Sequence, residues 1–147
     1  VQTCALPIWL AGYLRVAAQS FDLLGARPFT IEAEGQRRPL RTTTIAVANG
    51  PQYGSNAFIA PTARLDDGRL DLTAVPPLTM WNALPLVTAL FRGTLAARKD
   101  VFMTNADRLV IERAAPGPLH TDGEVHAAGT RVEFTVRPCS LSVLVPA

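Results

Sequence analysis

The run APTARLDDGRLDL, from Ala60 to Leu72, sets three carboxylates, Asp66, Asp67 and Asp71, around a single glycine, Gly68, between two apolar segments. Asp-Asp-Gly is turn chemistry. Directly after it Leu70, Leu72 and Ala74 alternate with Asp71 and Thr73, a period of two that predicts a strand to about Val75 with Asp71 on the opposite face from the leucines. Such an oxygen-rich turn also suits a hard cation, Mg²⁺ or Ca²⁺ rather than zinc, because Gly68 lets the backbone fold around it. Spacing alone is equally met by a hairpin turn with solvated carboxylates, and the alternating ligands and terminal glutamate of an EF-hand are missing. A second acidic turn, Thr121-Asp122-Gly123-Glu124, lies far downstream, and the two invite one shared site.

Outward from this turn, period-two stretches dominate. Phe29, Ile31 and Ala33 alternate with Thr30, Glu32 and Glu34, and a turn at Gly35 leads on to a strand over about Arg41 to Ala48. Further strands are predicted at Asp107 to Arg113, around Leu119 to Thr121, at Thr130 to Arg137 with Val132, Phe134 and Val136 inward, and at Ser140 to Val145. Asn49 to Pro61 reads as a loop rich in glycine, asparagine and proline, the kind of segment that carries sites on a rigid sheet. Helical spacing marks two segments. One spans Trp9 to Leu24, with Leu10, Tyr13, Leu14, Ala17, Phe21 and Leu24 in a stripe and Gly25 as its stop. The other spans Leu78 to Phe91, with Met80, Leu84, Val87 and Phe91 on one face and Pro85 in or near its first turn. The absence of charge from Leu72 to Phe91 reaches the length of a membrane span, but Pro76, Pro77, Pro85 and Asn82 divide it. That second helix is read as packing on the core, the other account being an apolar wall open to lipid. The fold class that follows is mostly β with flanking helices, an antiparallel β-sandwich or barrel-like domain.

Composition narrows function. Lys and Arg total 14 against 12 Asp and Glu, and the basic residues are scattered, which argues against a nucleic-acid surface. The two cysteines lack metal-site spacing, and with no secretory leader in the residues at hand the reading is cytoplasmic. VQTCALPI at residues 1–8 is the translation of GTTCAGACGTGTGCTCTTCCGATC, a sequencing-adapter end, so these residues are read as a cloning or assembly scar and 9–147 as one domain. Asp122-Gly123 makes a tight turn that places Glu124 at the head of the next strand, where a carboxylate can take a proton if partly buried; by itself the stretch reads as a hairpin turn. His120 and His126 flank the turn without a third ligand and read as loop or surface histidines. No nucleophile elbow, Walker sequence or GxGxxG occurs.

The order of these segments resembles the C-terminal domain of diacylglycerol kinase and sphingosine kinase-like lipid kinases, in particular the bacterial soluble lipid kinases. The resemblance runs over residues 10 to 147. It rests on Tyr13-Leu14, on the strand ending Val47-Ala48-Asn49-Gly50, on AP-A-LDDG-LDL, on Asp122-Gly123-Glu124 and on a final apolar strand, Leu141 to Pro146. It implies an enzyme that moves the γ-phosphoryl of ATP to a lipid hydroxyl, with this chain as the lipid-facing half and the nucleotide-binding N-terminal domain missing. On its own the fragment would be inactive. It further implies Glu124 as general base, Asp122 as an orienting residue, and Mg²⁺ held by Asp67 and the main-chain oxygens of Arg64 and Arg69. Peripheral contact with a membrane would bring the lipid, and Glu124 is expected at the rim of an apolar cleft. Tyr53-Gly54-Ser55-Asn56 departs from the glycine-rich run common at that point in the family. The competing account is a noncatalytic lipid-binding β-sandwich that keeps the turn.

Overall fold

A computed structural model describes residues 25–54 and 56–140. The Trp9 to Leu24 helix, the residue 1–8 segment and the Leu141 to Pro146 strand lie outside the described residues.

Among the described residues nine antiparallel strands and one α-helix follow in order: β1 Arg27–Ala33, β2 Gln36–Thr42, β3 Thr44–Ala48, β4 Leu70–Val75, α1 Ala83–Arg92, β5 Phe102–Ala106, β6 Arg108–Arg113, β7 Gly117–Thr121, β8 Glu124–Ala128 and β9 Arg131–Thr135. They form a four-stranded sheet in the order β2-β1-β6-β9, a three-stranded sheet in the order β3-β4-β5, and a separate two-stranded ribbon, β7-β8. Among the described residues the architecture is a sandwich of open sheets, with no closed barrel. The core is built from the inward residues of both larger sheets: Ile31, Leu109 and Ile111 on one side, Leu72, Ala74 and Ala106 on the other.

The single strand expected from Arg41 to Ala48 is two strands that belong to different sheets. Only Thr43 separates them. The carbonyl of Val75 at the end of β4 takes the amide of Thr43 at 3.0 Å and lies within reach of the buried Thr42 hydroxyl. That remote acceptor turns the chain from one layer into the other. β5 falls in a stretch without an expected strand, completing the three-stranded sheet beside β4.

The second helix is shorter than predicted and faces the other way. Thr79 and Asn82 exchange hydrogen bonds, Thr79 N–H to Asn82 Oδ1 at 2.7 Å and Asn82 N–H to Thr79 Oγ1 at 3.2 Å, so the helix begins only at Ala83 and Pro85 sits harmlessly in its first turn. Gly93 closes it in the left-handed conformation at φ 68°. Leu86, Ala89 and Leu90 pack against Leu95, Val101 and Met103, while Met80, Leu84, Val87 and Phe91 stand outward. Both arcs of this helix are apolar, and the sandwich uses the narrower one.

Outside the four-stranded sheet the exposed side chains form a ladder of ion pairs. Arg37 meets Glu112, Arg108 reaches Glu133 at 2.6 Å and Glu32 at 3.4 Å, and Arg131 reaches Glu133 at 3.0 Å. The hydrogen bond from Arg108, with a second from Arg131, holds the Glu133 carboxyl below its ordinary range.

Candidate functional site

Sequence reasoning nominated Asp67, Arg64, Arg69, Asp122 and Glu124, and they fall on two separate turns. In the first, Asp67 Oδ1 accepts the Arg69 amide at 2.9 Å, a local bond that leaves Oδ2 for another partner. Gly68 takes φ 68°, and a Cβ there would meet Pro138 only at 3.7 Å, so the backbone angle rather than space is what asks for glycine. Asp66 is spent on the Arg64 guanidinium at 3.3 Å, in open solvent. Arg69 binds the turn to its surroundings: its guanidinium pairs with Glu34 in the β1–β2 turn and donates to the Asn105 carbonyl on β5 at 3.0 Å. One carboxylate oxygen and main-chain carbonyls around a left-handed glycine fit a hard cation. Among the described residues no three His, Cys, Asp or Glu side chains gather, so a cation at this turn would rely on carbonyls and water for most of its shell.

Asp71 was assigned to a strand face but given no role, and the structure singles it out. β4 is the central strand of its sheet, and Asp71 is buried at 4% exposure. Its Oδ1 is 3.5 Å from the Thr62 hydroxyl and its Oδ2 has no partner. Burial, and then the charge of Asp67, push its carboxyl pKa up. The folded state therefore holds the proton more tightly than the unfolded chain does, and stability from this group is full below the ordinary Asp value of 3.8 and lost as pH rises through the raised one. Asp71→Asn is accordingly expected to raise the thermal midpoint at neutral pH, with the gain vanishing below pH 3.8; melting curves across that range check it.

The second turn caps the β7-β8 ribbon. Asp122 at φ 49° and Gly123 at φ 94° give the two positive angles of a tight hairpin, and Thr121 faces Glu124 in register. Side chains of Thr121, Glu124 and His126 share one face: Thr121 Oγ1 lies 2.7 Å from His126 Nε2, and Glu124 Oε2 lies 4.0 Å from the same nitrogen. His120 pairs with Val125 and so points to the other face, which rules out the pair of histidines acting together. Glu124 is 84% exposed and lines neither of the two clefts described below. The expected rim position is not what the structure has: Glu124 lies on a ribbon that pairs with neither larger sheet among the described residues, and it stands in solvent.

What fixes the ribbon is a residue the sequence did not flag. Arg113, the last residue of β6, sends its guanidinium into the ribbon's root and donates to the carbonyls of Gly117 at 2.6 Å, Ala128 at 2.7 Å, Gly129 at 2.9 Å and Pro118 at 3.1 Å. It also lines a cleft of about 490 Å³ walled by Pro28, Phe29, Leu40 and Ala114. A second cleft, about 580 Å³, opens where β1 and β2 approach β5, with the Arg38 guanidinium 4.9 Å above the Phe102 ring. No helix among the described residues is long and apolar enough to cross a membrane.

Comparison with known proteins bears on the family and the fold. The family described as the YegS C-terminal NAD kinase beta sandwich-like domain matches residues 1–145. "Probable lipid kinase YegS-like" of Pseudomonas aeruginosa (strain UCBPP-PA14) is 29% identical over 103 residues, which is 70% of this chain and 33% of that protein. The protein of the same description from Xanthomonas campestris pv. campestris (strain 8004) is 37% identical over 81 residues, 54% of this chain and 26% of that one. The chain thus spans about a third or less of the length of the curated relatives it matches. Two crystal structures from Bacillus anthracis str. Sterne, diacylglycerol kinases by description, superpose with TM-scores of 0.63 and 0.55 at 20% and 16% identity, over 88% and 86% of this chain and 48% of each of theirs. At that identity the likeness is one of fold.

Proposed function

From its place in the YegS C-terminal NAD kinase beta sandwich-like domain family, to which the chain belongs, we propose that it is the lipid-facing, base-donating part of an ATP-dependent lipid kinase. The observation that carries the reading is a carboxylate presented beside a tight turn, Glu124, on a ribbon whose root is hydrogen-bonded by Arg113. Phosphoryl transfer asks a protein for positioning, neutralisation of charge and removal of the hydroxyl proton. Glu124 takes the proton of the lipid hydroxyl as the new oxygen–phosphorus bond forms and ADP leaves. The Asp122-Gly123 turn sets where its backbone leaves the ribbon. Mg²⁺, held by Asp67 and the carbonyls of Arg64 and Arg69, would supply fixed positive charge to the turn. With Glu124 open to solvent, the reading needs a nucleotide-binding domain docked against the ribbon, and the chain by itself is inactive.

The same exposure favours a second reading, a noncatalytic lipid-binding sandwich. One experiment separates them. The product of the uncut gene is supplied with ATP, Mg²⁺ and a panel of hydroxylated lipids: diacylglycerol, a sphingoid base and monoacylglycerol. Phosphorylated lipid from the long protein, and none from residues 9–147, is the expected result. Lipid binding without phosphate transfer by the long protein overturns the kinase reading.

A further inference from the structure

We propose that the outward face of α1 and of the turn before it docks on an anionic lipid bilayer. The proposal deepens the lipid-kinase reading and rests on it for its purpose, though not for its geometry. Met80, Leu84, Val87 and Phe91 recur at the spacing of one helical stripe, and Trp81 stands beside them. Met80 is 86%, Trp81 90% and Leu84 71% exposed, and Val87 and Phe91 are each 38% exposed. The opposite arc, Leu86 and Ala89, already anchors the helix to the sandwich, so the exposed residues do nothing for the core. An apolar patch of this kind on a protein surface marks something that covers it.

Charge decides what that is. From Leu72 through Lys99 there is no Asp or Glu, and the only ionised side chains are Arg92, Arg98 and Lys99. Arg98 is committed to Asp100, at 2.9 and 2.7 Å, which leaves Arg92, in the last turn of the helix, and Lys99, in the segment after it, exposed. An apolar stripe with tryptophan, edged by cations and free of carboxylates, is the pattern of a helix lying in the plane of a negatively charged membrane interface. Ten residues are too few to span one, and enough to lie on it. A protein partner complementary to two cations would need carboxylates beside a large apolar surface, whereas anionic lipid provides both together.

The intact 147-residue chain is tested by sedimentation with vesicles of phosphatidylglycerol and, separately, phosphatidylcholine. Partition onto the anionic vesicles is expected, with a blue shift of Trp81 emission in a Trp9→Phe background. Leu84→Glu combined with Trp81→Ser should reduce partition roughly 30-fold or more, and Arg92→Gln with Lys99→Gln should reduce it roughly tenfold on the anionic vesicles alone. Circular dichroism confirms the fold of each variant. The proposal is overturned if the intact chain stays in the supernatant, if neither pair of substitutions changes partition, or if Leu84→Glu converts a dimer to a monomer, which would assign the face to a second copy. Assaying the uncut protein on a short-chain, water-soluble diacylglycerol keeps the two readings apart. Loss of vesicle binding with unchanged turnover there concerns docking only, and no turnover with intact binding concerns the kinase reading only.

Discussion

Glu124→Gln in a protein that carries this chain together with a nucleotide-binding domain is expected to lower kcat for lipid phosphorylation by roughly 10²- to 10⁴-fold, the usual contribution of a positioned base. KM for the lipid should change little, since Gln keeps the shape of the side chain and loses only its ability to take a proton. Folding is expected to be untouched. The side chain is 84% exposed and makes no hydrogen bond among the described residues, the His126 ring lying 4.0 Å away, so the melting point should move within experimental scatter. The measurement is steady-state phosphate transfer beside a thermal melt. Full turnover in a folded variant would remove Glu124 from the mechanism.

Arg113→Met should have the next largest effect, and of a different kind. The ribbon shares no ladder hydrogen bonds with either larger sheet, and an isolated two-stranded hairpin is marginal in water. One guanidinium donates to four carbonyls at its root, and charge-assisted bonds of this sort are worth about 1.5–3 kcal/mol each before the freed carbonyls are rehydrated. Loss of all four is expected to loosen residues 117–128 by about 2 kcal/mol or more. Amide hydrogen exchange should accelerate there and stay slow at Leu72 and Leu109, whose side chains are fully buried. If Glu124 acts as base, kcat should fall roughly 100-fold, the penalty of a misplacement near 1 Å. Arg113→Lys should not rescue, because an ammonium cannot serve four acceptors spread over two strands. Unchanged exchange in the ribbon would show that the neighbouring backbone holds it without Arg113.

The parts legible in the sequence were those whose cause is local. Alternation placed β4 and the inward Phe134, and the glycines at 68 and 123 announced turns that indeed need positive φ. What stayed hidden depends on distant partners. The break at Thr43 is made by the Val75 carbonyl, more than thirty residues on. The burial of Asp71 follows from β4 being the middle strand, which only the sheet order reveals. Period alone could not decide which arc of α1 faces inward when Met80, Leu84 and Val87 compete with Leu86, Ala89 and Leu90. Glu124 was findable from Asp-Gly-Glu, but its reach into solvent belongs to the ribbon's path away from the sandwich. Arg113 carries no signal in its neighbours at all.

The charged ladder on the four-stranded sheet contributes less cohesion than aloofness. Exposed pairs such as Arg131 with Glu133 add at most about 1 kcal/mol apiece, so together they do not decide whether the chain folds. They do decide what may approach. Among the described residues β2 and β9 end this sheet; β9 alternates Arg131 and Glu133 with apolar residues, and β2 carries Arg37, Arg38 and Arg41, with Pro39 withholding an amide that a stranger's strand would need. Edge-on growth into fibrils or misaligned pairs is thereby discouraged along both flanks.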